Sequence, residues 1–454
     1  MTNLRAHVVL LALVFTVTTA VCSVFAVLTQ SSTADWFTYR NVARSILDGC
    51  GVAVSFSGRC EPHFGGAHLP LYPALVALLW GAFGESESIL RAFNILAFAG
   101  ANVVLVHAVL RAGGSLAAAY GVGLLVALSP LPARWFGLLQ TEPLALACTT
   151  LIAAELVLIL ALRRVRITLL AGMVVLATWV RLDGVLLLAP VGVALWMALG
   201  WRKATMPFIV IVAAIGITSG AWSLRNHHVG VRPFPTGWML PDGSLGPFGY
   251  LAWLKTWVVT EDARGRASYF AINQYRRIDI DPSAFRRFND RAEVEGLLER
   301  LRAAEGQPFP AEIDAAFARL AVARKAELGA ADHAQLLVQR VWDMMGPWVF
   351  PFLRADGTVT AQIPAGSVIR TAHFWMFALG AMVAWRRRWT LGLQVCAVGC
   401  VLFVARAVFF GAGMGLEARY MVQVVPFLSL STGMCLIPFL LQKVRLRVST
   451  HPGA

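Results

Sequence analysis

The chain has 454 residues, of which 58% are hydrophobic and only 14% are charged, and its mean hydropathy is +0.66. This composition excludes an ordinary soluble domain and indicates a membrane protein. The formal net charge of +14 needs no nucleic-acid partner, because basic loops that face anionic lipid headgroups produce such an excess. We therefore expect membrane lipids as neighbours and no nucleic acid.

The first apolar run, residues 7–29, follows a lone Arg5, as in a secretory signal. It is longer than the apolar part of a typical signal, and no small-residue cleavage pattern closes it. Many more apolar runs follow. The run therefore predicts a retained first transmembrane helix.

Runs of apolar residues predict about ten transmembrane helices and an all-α, polytopic fold. Two of the runs are short and meet at a charged interruption. The predicted spans are 7–29, 89–110, 115–132, 142–162, 167–180, 184–200, 206–223, 367–385, 390–411 and 420–441.

Positive charges predict the orientation of these helices, because short cytoplasmic loops are rich in Lys and Arg. With the N-terminus inside, all the main basic clusters fall in cytoplasmic segments. We therefore expect both termini in the cytoplasm and residues 30–88 and 224–366 on the outer face. The clusters are Arg163, Arg164 and Arg166; Arg202 and Lys203; Arg386 to Arg388; and Lys443, Arg445 and Arg447.

The two long outer segments divide the chain into three predicted parts. Residues 1–223 are an N-terminal transmembrane module that includes the first outer loop, 30–88. Residues 224–366 are an outer, mostly helical segment, and residues 367–454 are C-terminal transmembrane helices.

The first outer loop contains two stretches that predict helices lying in the membrane interface. Residues 36–48 repeat apolar residues at helical spacing, and Pro70 to Gly84 is apolar but too short for a span. Cys50 and Cys60 share this loop, in a compartment where disulfides persist, and either a bridge or two free thiols fits. The apolar stripe of the first helix is Trp36, Tyr39, Val42, Ala43 and Ile46.

The second outer segment opens with a Pro- and Gly-rich stretch that predicts a loop. Asp281-Pro282 predicts the start of an amphipathic helix whose apolar positions keep helical spacing as far as Leu301. Pro310 predicts the start of a second amphipathic helix. Strand-like alternation is nearly absent, so we expect a helical cap.

Polar residues that a lipid-facing helix would not choose collect at the outer ends of the predicted spans. A carboxylate near a membrane boundary is costly unless water, a cation or a substrate offsets it. Such residues are therefore either surface residues or parts of a site. They are Asp35, Glu61, His63, His68, Gln140, Glu142, Arg181, Asp183, Arg225, Asn226, His227, His228, Glu417, Arg419 and Tyr420.

Each of these residues also has a purely structural interpretation. Arg181 with Asp183 fits an ion pair that closes a tight turn, and Glu417 with Arg419 fits another. Glu142, just before Pro143, fits the favourable field at a helix start. Arg225 and Asn226 fit an interfacial anchor, and His227 and His228 fit a loop.

The sequence identifies no cofactor with certainty, and a divalent metal ion stays an open alternative. Glu61, His63 and His68 have the donor mix for such a cation, but their spacing matches no known metal signature.

Taken together, acids and arginines converge where an apolar bundle meets water. This arrangement suits a substrate with a lipid tail and a phosphate head: the tail lies against the bundle, guanidinium groups hold the phosphate, and a carboxylate acts beside it.

Several motifs resemble, in order, the landmarks of membrane glycosyltransferases of the GT-C superfamily. They are Asp35 with Tyr39 and Ala43, then Gly49, "LPLYPAL", "TEP", "WVRLDGVLLL", "WSLRN" and "EARYMVQVVP". The closest group is the bacterial branch of the dolichyl-phosphate-mannose protein mannosyltransferase family (glycosyltransferase family 39), related to the lipid A aminoarabinose transferases. The resemblance covers residues 30–230 and 415–430.

The resemblance implies an enzyme of the bacterial inner membrane that works at the periplasmic face. It would move a sugar, with inversion, from a polyprenyl-phosphate donor to an envelope acceptor, which is a lipid, a glycan or a protein hydroxyl. The family's first-loop catalytic aspartate falls on Asp35. Second-acid candidates are Glu61, Glu142 and Asp183, and phosphate or donor ligands are Arg225, Arg419, Arg181, His68, Tyr420 and Asn226.

This chain departs from the family pattern at two places. Many relatives carry two adjacent acids in the first loop, whereas Ala34 and Trp36 flank Asp35, which argues against a metal there. The aminoarabinose transferases carry a Glu-Lys pair where this chain has Ala67-His68. His68 or an arginine would have to replace the lysine contact to phosphate.

Two other functions remain open. A lipid-linked sugar flippase or transporter would also bind a polar substrate within a bundle, but it favours charges or broken helices near the bilayer midplane, whereas here the polar groups lie at one end. A non-catalytic scaffold for envelope assembly would make Asp35 dispensable.

Overall fold

A computed structural model describes residues 2–29, 34–56, 59–61, 69–229, 247–268, 271, 274–345, 350–353, 359–363, 365–413 and 415–442. Its internal contacts divide the chain into two units. The first holds Met1–Val229, Pro347–Ala405 and Val422–Ala454, and the second holds Gly230–Gly346 and Arg406–Met421.

The N-terminal part of the first unit is a series of apolar helices. A short β-hairpin of β1 (Val54–Phe56) and β2 (Arg59–Glu61) follows the second helix. The helices are α1 (Thr2–Leu28), α2 (Ala34–Leu47), α3 (Leu71–Phe83), α4 (Glu87–Arg111), α5 (Leu116–Ala127), α6 (Pro130–Ala133) with a 3-10 turn (Arg134–Gly137), α7 (Glu142–Leu162), α8 (Ile167–Val180), a 3-10 turn (Leu182–Leu187), α9 (Leu188–Leu199) and α10 (Trp201–His228).

Shorter helices form the second unit, and the C-terminal part of the chain returns to long apolar ones. The former are α11 (Phe248–Leu254), α12 (Glu261–Ser268), 3-10 turns at Tyr275–Arg277 and Pro282–Phe285, α13 (Arg291–Ala303), α14 (Ala311–Glu327) and α15 (Ala330–Met345). The latter are α16 (Ala365–Arg386), α17 (Thr390–Gly413), a 3-10 turn (Ala418–Val424), α18 (Val425–Ser431) and a π-helical turn (Thr432–Leu436).

The all-α, polytopic class is confirmed, and the protein is a multi-pass membrane protein. Within the described ranges, eight helical stretches are long and apolar enough to cross a membrane. They are His7–Leu28, Glu87–Arg111, Leu116–Gly137, Glu142–Leu162, Leu182–Leu199, Trp201–His228, Thr390–Gly413 and Arg419–Gln442.

Two predicted spans, 167–180 and 367–385, are helical but are not among these eight. The first is α8, whose 14 residues give a length of about 21 Å. The hydrocarbon core of a bilayer is about 30 Å thick, so α8 is shorter than this core.

Buried polar contacts and close backbone approach hold the helices of the first unit together. The Asn102 amide on α4 donates to Thr18 Oγ1 on α1 and to the Gly123 carbonyl on α5, both at 3.0 Å. A Cβ at Gly123 would lie 2.6 Å from Val106 and 2.9 Å from Val14. Small residues and shared hydrogen bonds are how helices associate in lipid, where the hydrophobic effect gives little.

The second unit has its own core of aromatic and aliphatic side chains. Tyr250 and Trp253 on α11 are fully buried and pack on Phe317 of α14, with ring centroids 4.9 and 5.1 Å away. Arg324 is buried beside them and makes a two-pronged ion pair with Asp290, both contacts at 2.6 Å.

One of the two helix starts predicted for this segment is corrected. Asp281 caps only the 3-10 turn that follows it, through the Ser283 amide at 2.9 Å, and the helix starts at Arg291. Asp290, the residue before that helix, pairs with Arg324. Pro310 does start α14.

The outer segment also contains strands, although we expected almost none. β3 (Phe350–Leu353) pairs antiparallel with β4 (Val359–Ile363). These strands carry aromatic and β-branched residues, which favour pleated structure, but each is too short to show a clear alternation.

Candidate functional site

Helix α2 packs its predicted apolar stripe against α3. Trp36 and Tyr39 on α2 are buried and meet aromatic rings of α3 edge to face: Tyr39 lies 5.1 Å from Tyr72, and Trp36 lies 6.0 Å from Trp80. This packing holds Asp35, in the first turn of α2, half-buried.

Arg181 bridges two carboxylates at the ends of neighbouring helices. Its Nη1 donates to Glu142 Oε1 at 2.6 Å and to Thr141 Oγ1 at 3.1 Å, and its Nε donates to Asp183 Oδ1 at 3.0 Å. The exposed fractions of the Glu142 and Asp183 side chains are 3% and 7%. The pair predicted within "WVRLDG" is present, and Glu142 joins it.

Local sequence explains how these groups are placed. Glu142 starts α7 beside Pro143, where a carboxylate is favoured by the helix field and proline is tolerated. α8 ends because Arg181 is extended, with φ −148° and ψ 131°. Gly184 then lets the chain fold back on α8, since a Cβ there would lie 2.5 Å from the Ala177 backbone.

Tyr39 joins Asp35 to this ion-pair cluster. Its hydroxyl is hydrogen-bonded to Thr141, and burial raises the pKa of Tyr39 well above its ordinary value. The carboxylates of Asp35 and Glu142 raise that pKa further, so both lie within electrostatic reach of one phenol. We call Asp35, Tyr39, Glu142, Arg181 and Asp183 the carboxylate cluster.

The carboxylate cluster brings three carboxylic acids and one guanidinium group together. Carboxylic acids can take part in proton transfer and can accept hydrogen bonds from hydroxyl groups. The cluster therefore suits acid–base chemistry or the binding of sugar hydroxyls.

Arg225 is tied to the first outer loop. It donates from Nη2 to the Val52 carbonyl and from Nη1 to Asn226 Oδ1 at 3.1 Å, and it lies 4.9 Å from the Trp222 ring. Asn226 is fully buried, and its Nδ2 meets no acceptor within the part of the chain that the structure describes. The C-terminal end of α10 thus contacts the segment that follows α2.

A second group of charges belongs to the second unit. Glu417 receives two guanidinium groups, from Arg264 of α12 at 2.7 Å and from Arg419 at 2.5 Å. Tyr420 stacks on Phe410 with ring centroids 4.2 Å apart. The predicted pair of Glu417 and Arg419 is present, with a second arginine on the same carboxylate.

The remaining predicted residues are only partly described. His63 and His68 lie outside the described residues, and Glu61 ends β2. His227 and His228 end α10 with their rings 6.3 Å apart. Over the described ranges, no group of three or more His, Cys, Asp or Glu could hold a metal ion, and the metal alternative at residues 61–68 stays a prediction.

The structure contains a disulfide between Cys50 and Cys60, with Cα atoms 5.5 Å apart. It links the turn after α2 to β2 and closes the first part of the outer loop. The bridge was one of the two alternatives left open by the sequence.

Two contributing residues were not predicted as site residues. Thr141, within "TEP", is placed between Tyr39 and Arg181. Arg264 pairs with Glu417, which is 153 positions away in the chain. No local signal distinguishes Arg264 from other surface arginines, because only the fold brings it to its partner.

The chain matches no known protein family and no curated protein. Among solved structures, it is similar to ArnT from Cupriavidus metallidurans bound to undecaprenyl phosphate, with 15% identity, a TM-score of 0.40 and coverage of 93% of this chain and 77% of that one. The apo state of ArnT matches at 14% identity and a TM-score of 0.36, covering 96% of this chain and 78% of that one.

An oligosaccharyltransferase from Archaeoglobus fulgidus, tethered to an acceptor peptide, also matches. The identity is 13%, the TM-score is 0.48, and the match covers 97% of this chain but only half, 50%, of that one. At these identities and TM-scores the likeness carries no residue role or substrate to this chain, and the family 39 branch stays a prediction.

Proposed function

We propose that the protein is a membrane glycosyltransferase that moves a sugar from a polyprenyl-phosphate donor to an envelope acceptor at the outer face of the membrane. The observation that supports this most is the carboxylate cluster, which lies at the ends of apolar helices of the first unit. A lipid-linked sugar needs both features: apolar helices for its tail, and hydrogen-bonding acids for its head.

In this proposal Asp35 is the catalytic base. It accepts the proton of the acceptor hydroxyl while the acceptor oxygen forms its bond to the anomeric carbon. The bond from that carbon to the phosphate oxygen breaks, and the electron pair leaves with the polyprenyl phosphate. Attack opposite to the leaving group inverts the anomeric configuration.

Glu142 and Asp183 act in the proposal through their fixed positions. Because Arg181 bonds to both, their oxygens are oriented. They are then suited to accept hydrogen bonds from sugar hydroxyls. Arg181 is a positioning residue here, although the family resemblance suggested a phosphate ligand.

The departing phosphate gathers negative charge and needs cationic or N–H donors. Arg225 remains a phosphate ligand in the proposal, with Asn226 beside it as an amide donor. Arg419 and Tyr420 belong to the second unit, and their role as donor ligands stays a prediction from the family resemblance. Within that unit, Arg264 and Arg419 share the Glu417 carboxylate. Arginine suits this role because its planar fork matches phosphate oxygens.

The proposal is tested by offering the purified protein a panel of radiolabelled polyprenyl-phosphate monosaccharides together with lipid, glycan and peptide acceptors. Release or transfer of one sugar is the expected result. If no donor turns over, while one intact lipid-linked sugar crosses proteoliposome membranes, the protein is a flippase. Neither turnover nor transport would support a scaffold.

A further inference from the structure

A cavity of about 480 Å³ lies within the first unit, away from the carboxylate cluster. It lies near the ends of α4, α16 and the helical stretch Arg419–Gln442. The starts of α5 and α17 lie next to it. Buried Met434 and Cys435 are among its lining residues, and Arg387, Arg388 and Trp389 line it from the turn between α16 and α17. Binding cavities for small ligands commonly span about 300–1,000 Å³, so its size is suited to a headgroup.

The charge of this cavity has a single sign. Its lining residues include two arginines and no acid, and neither arginine has an ion pair within the described part of the chain. Arg387 donates to the Gln442 amide oxygen at 3.0 Å and lies 4.9 Å from the Phe439 ring. A neutral partner and an aromatic ring orient the guanidinium without cancelling its charge.

The start of α5 also lines the cavity. Ser115 caps this helix by accepting from the Ala118 amide at 3.2 Å, and Gly113, Gly114, Ser115 and Ala118 are all lining residues. Gly114 allows the tight approach to α4, because a Cβ there would lie 2.7 Å from the Val109 carbonyl oxygen. A helix start in the same cavity as two arginines adds to the attraction for an anion.

The backbone at Arg388 decides which substitution suits this position. α16 ends with Trp389 N bonded to the Ala384 carbonyl at 2.9 Å and Arg388 N bonded to the Trp385 carbonyl at 3.0 Å. In this end motif the residue at the left-handed position is usually glycine, and Arg388 occupies it with φ 52°. An L side chain is disfavoured there, so glycine removes the guanidinium group without straining the backbone.

We propose that this cavity binds the phosphate group of an anionic membrane lipid, with Arg387 and Arg388 on the phosphate and the acyl chains against the neighbouring helices. Basic pockets between membrane helices on the cytoplasmic side are suited to such headgroups, and the predicted orientation places the turn 386–388 on that side. The proposal does not depend on the proposed transferase activity. A soluble phosphate compound has the same headgroup chemistry but lacks the acyl chains.

The test uses native mass spectrometry of the full-length protein in detergent, titrated with phosphatidylglycerol. Phosphatidylcholine is the zwitterionic control lipid. The variant that removes the arginines is Arg387→Gln with Arg388→Gly, in which the glycine relieves the left-handed backbone and should not harm folding. The matched control is Arg163→Gly, since Arg163 is also an arginine at φ 55° at a helix end but does not line the cavity.

We expect saturable phosphatidylglycerol binding to wild type and to Arg163→Gly, and roughly 30-fold weaker binding to the double variant, from about fivefold per guanidinium. Equal binding by the double variant, or equal binding of phosphatidylcholine, would overturn the proposal. Displacement of the lipid by millimolar inorganic phosphate would assign the cavity to a soluble phosphate compound and also overturn the lipid assignment.

Discussion

Arg181 Nη1 lies 2.6 Å from Glu142 Oε1 and links the end of α8 to the start of α7. The same side chain holds Asp183 through Nε at 3.0 Å. One guanidinium thus orients two nearly buried carboxylates beside the helix that carries Asp35. Several measurable consequences follow from this arrangement.

Removing the guanidinium should destabilise the protein more than removing one acid. Arg181→Gln leaves two buried carboxylates without their partner and should cost about 3–5 kcal/mol, while Glu142→Gln keeps shape and hydrogen bonding and should cost about 1–3 kcal/mol. Thermal unfolding in detergent measures both. Arg300→Gln, at an exposed ion pair with Glu312, is the control and should change stability by less than about 0.5 kcal/mol. Equal effects of all three variants would argue against the bridging role.

Gly184→Ala should disturb the turn that carries Asp183. The added Cβ would meet the Ala177 backbone at 2.5 Å, and such overpacking costs about 1–3 kcal/mol. The rate of sugar transfer should fall together with stability. Asp183, and Glu142 through Arg181, would both move relative to Asp35. Gly172→Ala on α8 is the matched control, since nothing lies within 4 Å of a Cβ there; the account is wrong on this point if the two variants behave alike.

Loss of the disulfide should loosen the first outer loop. The bridge from Cys50 to Cys60 spans 10 positions, for which the chain-entropy relation gives about 3 kcal/mol. The double variant to serine should therefore unfold at a lower temperature, and a reductant should have the same effect on wild type. Cys400→Ser, at a free cysteine, should leave the unfolding temperature unchanged. If a reductant lowers the unfolding temperature of the double variant as much as that of wild type, the effect does not come from the Cys50–Cys60 bridge.

Arg324 should tolerate lysine poorly. Its fork makes two 2.6 Å contacts to Asp290, and its guanidinium lies 4.3 Å from the Phe288 ring and 5.0 Å from the Trp253 ring. Lysine carries a compact ammonium group and lacks the planar fork of arginine. Arg324→Lys should therefore lower the free energy of unfolding by about 2–3 kcal/mol. Circular dichroism during heating measures this loss. Arg291→Lys, at an exposed pair with Glu295, should behave as wild type.

The spacing of apolar residues along the chain predicted α2 and α3 well, because these two helices pack on each other. The apolar stripe predicted for α2 lies on one helix face, with Ile46 partly buried and its other members buried. α3 lies within the predicted stretch from Pro70 to Gly84. The start at Asp281 was wrong, because Asp281 caps a 3-10 turn and α13 begins only at Arg291. Asp290, just before α13, pairs with Arg324. A partner 34 positions away leaves no trace in local spacing.

The candidate site shows the same limit. "TEP" and "WVRLDG" each indicated polar residues at a helix end, but the bond between Arg181 and Glu142 joins residues 39 positions apart. Arg264 and Glu417 are 153 positions apart. Such pairings depend on packing, which spacing along the chain does not encode, so the residue types were predictable and their partners were not.

The proposal that Asp35 is the catalytic base is tested most directly by the rate of sugar transfer in Asp35→Asn, with the donor that wild type turns over. We expect a loss of at least about 100-fold, the usual contribution of a positioned base, with donor binding retained. Asp48→Asn, at an exposed acid just after the same helix, should keep the wild-type rate. Transfer by Asp35→Asn at the wild-type rate would contradict the assignment of Asp35 as the base.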